Sequence, residues 1–250
     1  MTRTVEIAGG GVAGLALGIA LRQDGVPVRL YEAGTYPRHR LCGEFISGAG
    51  TDEFSRLGLE GLPEMGETLT DAMWFRGGRQ LLHRDLPEPA LGISRWCLDK
   101  ILAERFTSAG GGLSCTTRIP VPQSGEGWVN ATGRAKSEDS RWLGQKAHYL
   151  NLPMKAGLEM HLGSGGYAGI SRIGSGVTNV CALLPASLGK RSGDATLPGR
   201  LRACGLPLLA ERLEAAEEIP ASRCGVSRFV TGWQRGPDHG IRLGDHGAII

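Results

Sequence analysis

The sharpest hydrophobic rhythm lies at the start of the chain. Val5, Ile7 and Ala8 form a short apolar run that breaks at Gly9-Gly10-Gly11, passes into helical spacing over residues 12–22, turns at Asp24-Gly25 and resumes as a second apolar run at Val28–Tyr31. Strand, helix and strand in that order predict a βαβ unit. Residues 38–47 are polar and predict a loop, and residues 52–57 predict a short helix stopped by Gly58. Over residues 62–93 the period shortens, with Gly78 and Pro87 as turn signals, so short strands are expected. Arg95–Ser108 predicts an amphipathic helix with Trp96, Ile101, Leu102 and Phe106 near one stripe and a stop at Gly110-Gly111-Gly112.

The second half is read in the same way. Trp128-Val129-Asn130 predicts a short strand running into Ala131-Thr132-Gly133, and residues 146–184 alternate in several runs (158–162, 167–173, 177–184) that predict an antiparallel sheet. Residues 197–218 are helical by pattern, broken at Gly205 and Pro207. A last strand, Ile241-Arg242-Leu243, enters Gly244-Asp245 and an apolar end at Ala248-Ile249-Ile250. No internal repeat or low-complexity tract interrupts this order.

Composition narrows the classes. With 250 residues, 41% hydrophobic and 21% charged, the chain has an ordinary globular balance and enough length for a substantial core. Glycine is unusual at 40 residues, about twice the common ~7% share, which favours loops that let a ligand approach the backbone. A net charge of +3 without a basic block excludes a nucleic-acid partner from the expectations. Six scattered cysteines without metal-like spacing read as reduced thiols in a cytoplasmic protein. No basic and apolar leader precedes the first strand, and the longest apolar stretch, ~10 residues against the ~20 needed to span a bilayer, predicts a soluble chain with no stable membrane insertion.

The chemistry-bearing motif is Gly9-x-Gly11-x-x-Gly14, placed after a strand and opening a helix. Gly9 allows the tight turn, Gly11 lets a pyrophosphate approach the backbone, Gly14 lets helix and strand pack, and the helix N-terminus offers unpaired amides to an anion. Glu32, at the end of the second strand, is placed to accept from ribose hydroxyls. A dinucleotide site follows, and these residues alone leave NAD and FAD both open.

The downstream pieces resemble FAD-dependent oxidoreductases of the superfamily that holds the aromatic hydroxylases (p-hydroxybenzoate hydroxylase type) and the geranylgeranyl reductases. The resemblance rests on Gly9 to Gly18 with Glu32, on Tyr36-Pro37-Arg38-His39-Arg40-Leu41-Cys42-Gly43-Glu44, on Arg95 with Asp99, on Ala131-Thr132-Gly133, on Gly166-Tyr167 and on Gly244-Asp245, in family order along most of the chain. It implies a loop at Cys42 beside the flavin, Arg95 near the pyrophosphate and Asp245 on the cofactor. The implied cofactor residues are Gly9, Gly11, Val12, Ala13, Gly14, Glu32, Arg40, Arg95, Gly244 and Asp245. No catalytic residue is assigned; Cys42, a small residue beside Gly43 or a redox thiol, and Tyr167, a cavity wall or a packed tyrosine, are the candidates. His161 reads as an ordinary strand residue. Gly169, Ile170 and Ser171 replace the bulky residues that the reductase signature carries after Gly-Tyr.

The expected fold is α/β, a Rossmann-type FAD-binding domain (residues 1–60, 94–145 and 235–250) interleaved with an antiparallel β-sheet substrate domain (61–93 and 146–234). The expected function is an FAD-dependent oxidoreductase, a monooxygenase acting on a small apolar or aromatic molecule with NAD(P)H as electron donor. A double-bond reductase, a non-catalytic flavin binder and an NAD-dependent dehydrogenase remain as alternatives, and the oligomeric state stays open. Relatives continue past Gly244-Asp245 with a helix and carry a longer meander where this chain has residues 113–118. A weakly FAD-binding chain with an exposed apolar end is therefore also expected.

Overall fold

Val5–Ala8 (β1) and Val28–Tyr31 (β2) pair in parallel around the helix Val12–Gln23 (α1), as the βαβ pattern predicts. The computed structural model describes residues 3–120, 125–134, 141–188, 195–228, 232–233 and 240–249. Gly112–Ser114 (β6) extends β2, Trp128–Asn130 (β7) lies along the other side of β1, and Ile241–Arg242 (β14) adds to β7. The result is a five-stranded parallel sheet in the order β14-β7-β1-β2-β6. Gly112–Ser114, whose Leu113 and Ser114 belong to the segment 113–118 read from sequence as all that remains of a longer meander, is thus the edge of this sheet. Leu15 and Ile19 of α1 pack with Leu98, Leu102 and Phe106 of the helix Arg95–Ser108 (α3), the short helix Thr51–Arg56 (α2) contributing Phe54. The buried stripe of α3 leaves out Trp96, which is 44% exposed, because the stripe runs through Leu98, Leu102 and Phe106 at helical spacing.

The second layer is an eight-stranded sheet. Its strands are Phe45–Ile46 (β3), Glu67–Arg76 (β4), Arg79–Gly92 (β5), Trp142–Leu150 (β8), Leu158–Leu162 (β9), Tyr167–Arg172 (β10), Val177–Pro185 (β11) and Glu217–Ser227 (β12), in the order β12-β8-β11-β10-β9-β4-β5-β3. All pairs are antiparallel except β4 with β9, so the expected antiparallel sheet is mixed at one seam. Residues 62–93 form two long strands rather than several short ones, joined at Gly77-Gly78, both at positive φ as a tight hairpin requires. Pro87 does not mark a turn. It lies within β5 where the β4 register slips between Leu69 and Asp71, and a proline without an amide to donate is tolerated there.

One face of this sheet carries Ala147, Tyr149, Ala168, Ile170, Val180, Ala182 and Leu184 against the helices Leu197–Ala203 (α4) and Pro207–Glu214 (α5). Glu159 and His161 lie on that same face, bonded to each other at 2.8 Å and, through Glu159, to Arg212 at 2.8 Å. The helical pattern over 197–218 stops at Glu214, and Glu217 opens β12. Gly232–Trp233 (β13) pairs with Ala248–Ile249 (β15), so the apolar end enters a strand pair; Ile250 lies outside the described residues. Among the described residues no helix is long and apolar enough to cross a membrane.

Candidate functional site

The turn between β1 and α1 is crowded on one side and open on the other. A Cβ on Gly9, at φ +113°, would lie 2.2 Å from the Ala131 carbonyl oxygen, and one on Gly14 would lie 2.1 Å from the Gly9 oxygen. At Gly11 a Cβ would meet nothing within 4 Å. Gly11 is also the N-cap of α1, with no side-chain cap and no acidic residue in the first turn, so the first-turn amides of Val12 and Ala13 face no competing carboxylate of their own helix. Gly244 closes on the same place: a Cβ there would sit 3.0 Å from the Ala13 Cβ. His246 Nδ1 reaches Thr132 Oγ1 at 3.1 Å, and Arg134 Nε lies 3.5 Å from the exposed carboxylate of Asp245. The segments around Gly9–Gly14, Ala131–Arg134 and Gly244–Asp245 therefore meet at one helix N-terminus.

A ladder of alternating charges leads away from it. Glu32 is 4% exposed and takes hydrogen bonds from the Gly10 amide (3.0 Å), the Gly34 amide (2.8 Å), Arg38 (2.6 Å) and Arg40 (3.1 Å). Burial raises its carboxyl pKa, but the Arg40 charge, the Gly34 amide and Arg38 together outweigh that and hold it below the usual range. Arg40 bridges onward to Asp99 at 2.8 Å, and Asp99, with no exposed side chain, receives Arg95 in a two-point contact at 2.6 and 2.9 Å. The sequence names Glu32, Arg40 and the Arg95–Asp99 pair separately; the structure joins them, Arg40 bridging Glu32 and Asp99. A ribose hydroxyl that reaches Glu32 must displace one of the two arginines, since both carboxylate oxygens already accept twice.

Beside the ladder the Cys42-Gly43-Glu44 loop is held against the second sheet. Asn179 Nδ2 donates to the carbonyls of Cys42 (3.1 Å) and Gly43 (2.9 Å), and Ser171 Oγ donates to Gly43 at 2.6 Å. Cys42 Sγ accepts from the Glu44 amide at 3.4 Å and lies beside the Arg95 guanidinium. The fully buried Glu44 carboxylate contacts the Lys146 ammonium, sits 2.5 Å from His148 Nε2 and accepts from the Arg95 amide at 2.8 Å. Burial raises the Glu44 pKa, and the His148 hydrogen bond with the Lys146 charge more than reverses it. His39 brings a third metal-type donor within 4.8 Å of Glu44 and His148. The Lys146 ammonium already neutralises that carboxylate, so a second cation meets like charge. Lys146, His148 and Asn179 do not stand out in the sequence, and Ser171 is marked there only as a departure from the reductase signature, because alternation marks a strand residue's face and not its partner.

Register extends the same face across the sheet. Lys146 is opposite Cys181, Cys181 opposite Gly169, Gly169 opposite Met160, and Met160 opposite Trp74. One step along, Leu183 is opposite Tyr167. Side chains two apart on a strand share a face, so Trp74, Met160, Tyr167, Cys181 and Leu183 border the clamped loop on an apolar wall. A Cβ on Gly169 would have only the Met160 Cε (3.8 Å) and the Cys181 oxygen (3.9 Å) within 4 Å, which leaves a recess in that wall. Tyr167 is 38% exposed and stands on this wall, apart from the glycine turn. Burial pushes the Cys181 thiol up to about 12.

No protein-family model and no curated protein matches the chain. Solved structures share its fold. PqsL of P. aeruginosa, in complex with 2-aminobenzoylacetate, superposes with a TM-score of 0.74 at 15% identity over 99% of this chain and 80% of that one. The myxobacterial chondrochloren halogenase CndH, an FAD-dependent halogenase, gives 0.77 at 17% over 99% and 69%, and 2-methyl-3-hydroxypyridine-5-carboxylic acid oxygenase gives 0.67 at 19% over 100% and 77%. The fold is that of FAD-binding monooxygenases and halogenases.

Proposed function

We propose that the chain is an FAD-dependent oxidoreductase of the monooxygenase type, acting on a small apolar or aromatic molecule with NAD(P)H as electron donor. The observation that carries the proposal is the open approach to Gly11 at the uncapped N-terminus of α1, where the glycine turn, Gly244-Asp245 and the arginine ladder converge. The donor set suits a dinucleotide: first-turn amides at Gly11, Val12 and Ala13 for the pyrophosphate, Arg95 for its charge, Glu32 for a ribose, and Asp245 for sugar-alcohol hydroxyls. Asn179 Oδ1, buried beside the Cys42 loop with no partner among the described residues, is a further acceptor on the side assigned to the flavin. Residues 1–60, 94–145 and 235–250 are read as the cofactor domain and 61–93 with 146–234 as the substrate domain, the loop strand β3 and the first residues of β8 crossing between them.

FAD, when bound, would supply the two-electron redox chemistry between a nicotinamide donor and oxygen. What the chain adds is placement. Asp99 holds Arg40 and Arg95 in fixed orientation, Asn179 and Ser171 fix the Cys42-Gly43 carbonyls, and the wall with its Gly169 recess seats a flat apolar ring and keeps water from it. Gly169 and Ser171, in place of the bulky residues of the reductase signature, favour an aromatic substrate over a prenyl chain in this reading. Anaerobic mixing of the FAD-loaded chain with NADH or NADPH, then with oxygen and a panel of aromatic acids and phenols, tests it. Oxygen consumption that rises with at least one aromatic compound and yields a product heavier by one oxygen atom is the expected result. Reduction of an added olefin without oxygen uptake would replace monooxygenation by the reductase reading.

A further inference from the structure

Lys146 has no exposed side chain, and neither has the Glu44 carboxylate it contacts. A buried ion pair is a poor source of stability, since apolar residues of the same size commonly do as well or better, so its place in the fold calls for another reason. Its place is specific. Lys146 projects from the centre of β8 on the face that clamps the Cys42-Gly43 carbonyls, opposite Cys181, on the same rung of the sheet as the Gly169 recess.

We propose that Lys146 is a positioned positive charge that tunes the flavin bound beside the Cys42-Gly43 loop, and that Glu44, steadied by His148 and the Arg95 amide, sets how much of that charge the flavin feels. The inference rests on the flavin reading above. Among the described residues the charged and titratable groups around the pair are His39 and Cys42 from the loop, His148 from β8, Cys181 from β11, Cys224 from β12, Arg95 from α3, and Arg134. Lys146 is the ammonium in direct contact with Glu44, and among the described residues Glu44 is the carboxylate it touches. Reduction of a flavin adds negative charge, and a cation held at fixed distance in a water-poor site favours the reduced form, whereas the adjoining carboxylate opposes it. The pair as built is near neutral, and removing either member unbalances it in opposite directions.

That opposition separates tuning from mere packing. The midpoint potential of bound FAD is measured, with the dissociation constant of oxidised FAD, for the wild-type chain, Glu44→Gln, Lys146→Met, the double variant and Glu44→Asp. The expected result is a higher potential for Glu44→Gln and a lower one for Lys146→Met. Each amounts to about a tenfold change in the ratio of reduced to oxidised FAD affinity, or ~30 mV for a two-electron couple. Glu44→Asp keeps the charge and is expected to stay at the wild-type potential. If Lys146→Met does not fold, the double variant, which buries no unpaired charge, carries the comparison: it should return to within about twofold of the wild-type ratio while Glu44→Gln alone stays high. Shifts of the same sign in both single variants, a double variant as displaced as Glu44→Gln, or no shift in any, overturns the proposal. A wild-type chain that does not bind FAD at all overturns the flavin reading first and this inference with it, and is recognised by the titration before any potential is measured.

Discussion

Alanine at Gly11 and alanine at Gly14 add the same methyl group three residues apart, yet the geometry predicts opposite outcomes. At Gly11 the added Cβ meets nothing within 4 Å and the backbone, at φ −81° and ψ −178°, is extended and open to any residue. The fold loses at most the difference between glycine and alanine as an N-cap, under about 1 kcal/mol. The methyl group does, however, stand at the proposed pyrophosphate site, and losing charge-assisted hydrogen bonds of about 1.5–3 kcal/mol there should weaken FAD binding roughly 10- to 150-fold. At Gly14 the Cβ falls 2.1 Å from the Gly9 carbonyl oxygen, with the Ala131 Cβ at 3.3 Å, and two backbone segments cannot both yield. Overpacking of that kind costs about 1–3 kcal/mol, which for a chain of this size lowers Tm by roughly 2–4 °C per kcal/mol. Thermal unfolding of the two apoproteins by circular dichroism, set beside FAD titrations by fluorescence quenching, reads both effects. Gly11→Ala should unfold with the wild type and bind poorly. Wild-type FAD affinity in Gly11→Ala, or a loss of Tm equal to that of Gly14→Ala, would refute the placement of the pyrophosphate.

Two further outcomes follow from other parts of the fold. Burial raises the Glu159 pKa, but hydrogen bonds from His161, Arg212 and the Lys155 amide bring it down to about 2 from 4.5. A depressed carboxylate contributes stability that is present above pH 4.5 and lost as the pH falls towards 2, here about 3 kcal/mol. Glu159→Gln should therefore lose that amount in urea unfolding at pH 7 and much less at pH 3; an equal loss at both values contradicts the linkage. Cys42→Ser should keep FAD affinity and most turnover, because a hydroxyl can accept the Glu44 amide as the sulfur does at 3.4 Å. Loss of turnover with flavin still bound would give the thiol a chemical role.

Local signals carried well into the structure where a segment's chemistry is self-contained. The βαβ unit, the three glycines of its turn and the helix from Arg95 need only their own periodicity and stops to be read. Long-range pairing defeated the same reasoning. β12 is an edge strand whose register breaks between Ile219 and Cys224, so its alternation is lost and its first residues look like a helix end. Phe45–Ile46 is a two-residue strand inside a polar loop, too short for any period to register. At the site, Glu32, Arg40 and Arg95 were legible as chemistry but not as a ladder, since Asp99 joins them only after α3 has docked on the loop. Lys146 and His148 are two apart on β8 and look like ordinary outward-facing residues until the loop that covers them is in place.

The most direct test of the account is an FAD titration of the purified chain, with NAD as the comparison ligand. One FAD is expected to bind per chain, with quenched flavin fluorescence, a shifted visible spectrum and no comparable binding of NAD. Binding of NAD without FAD, or of neither, would contradict it.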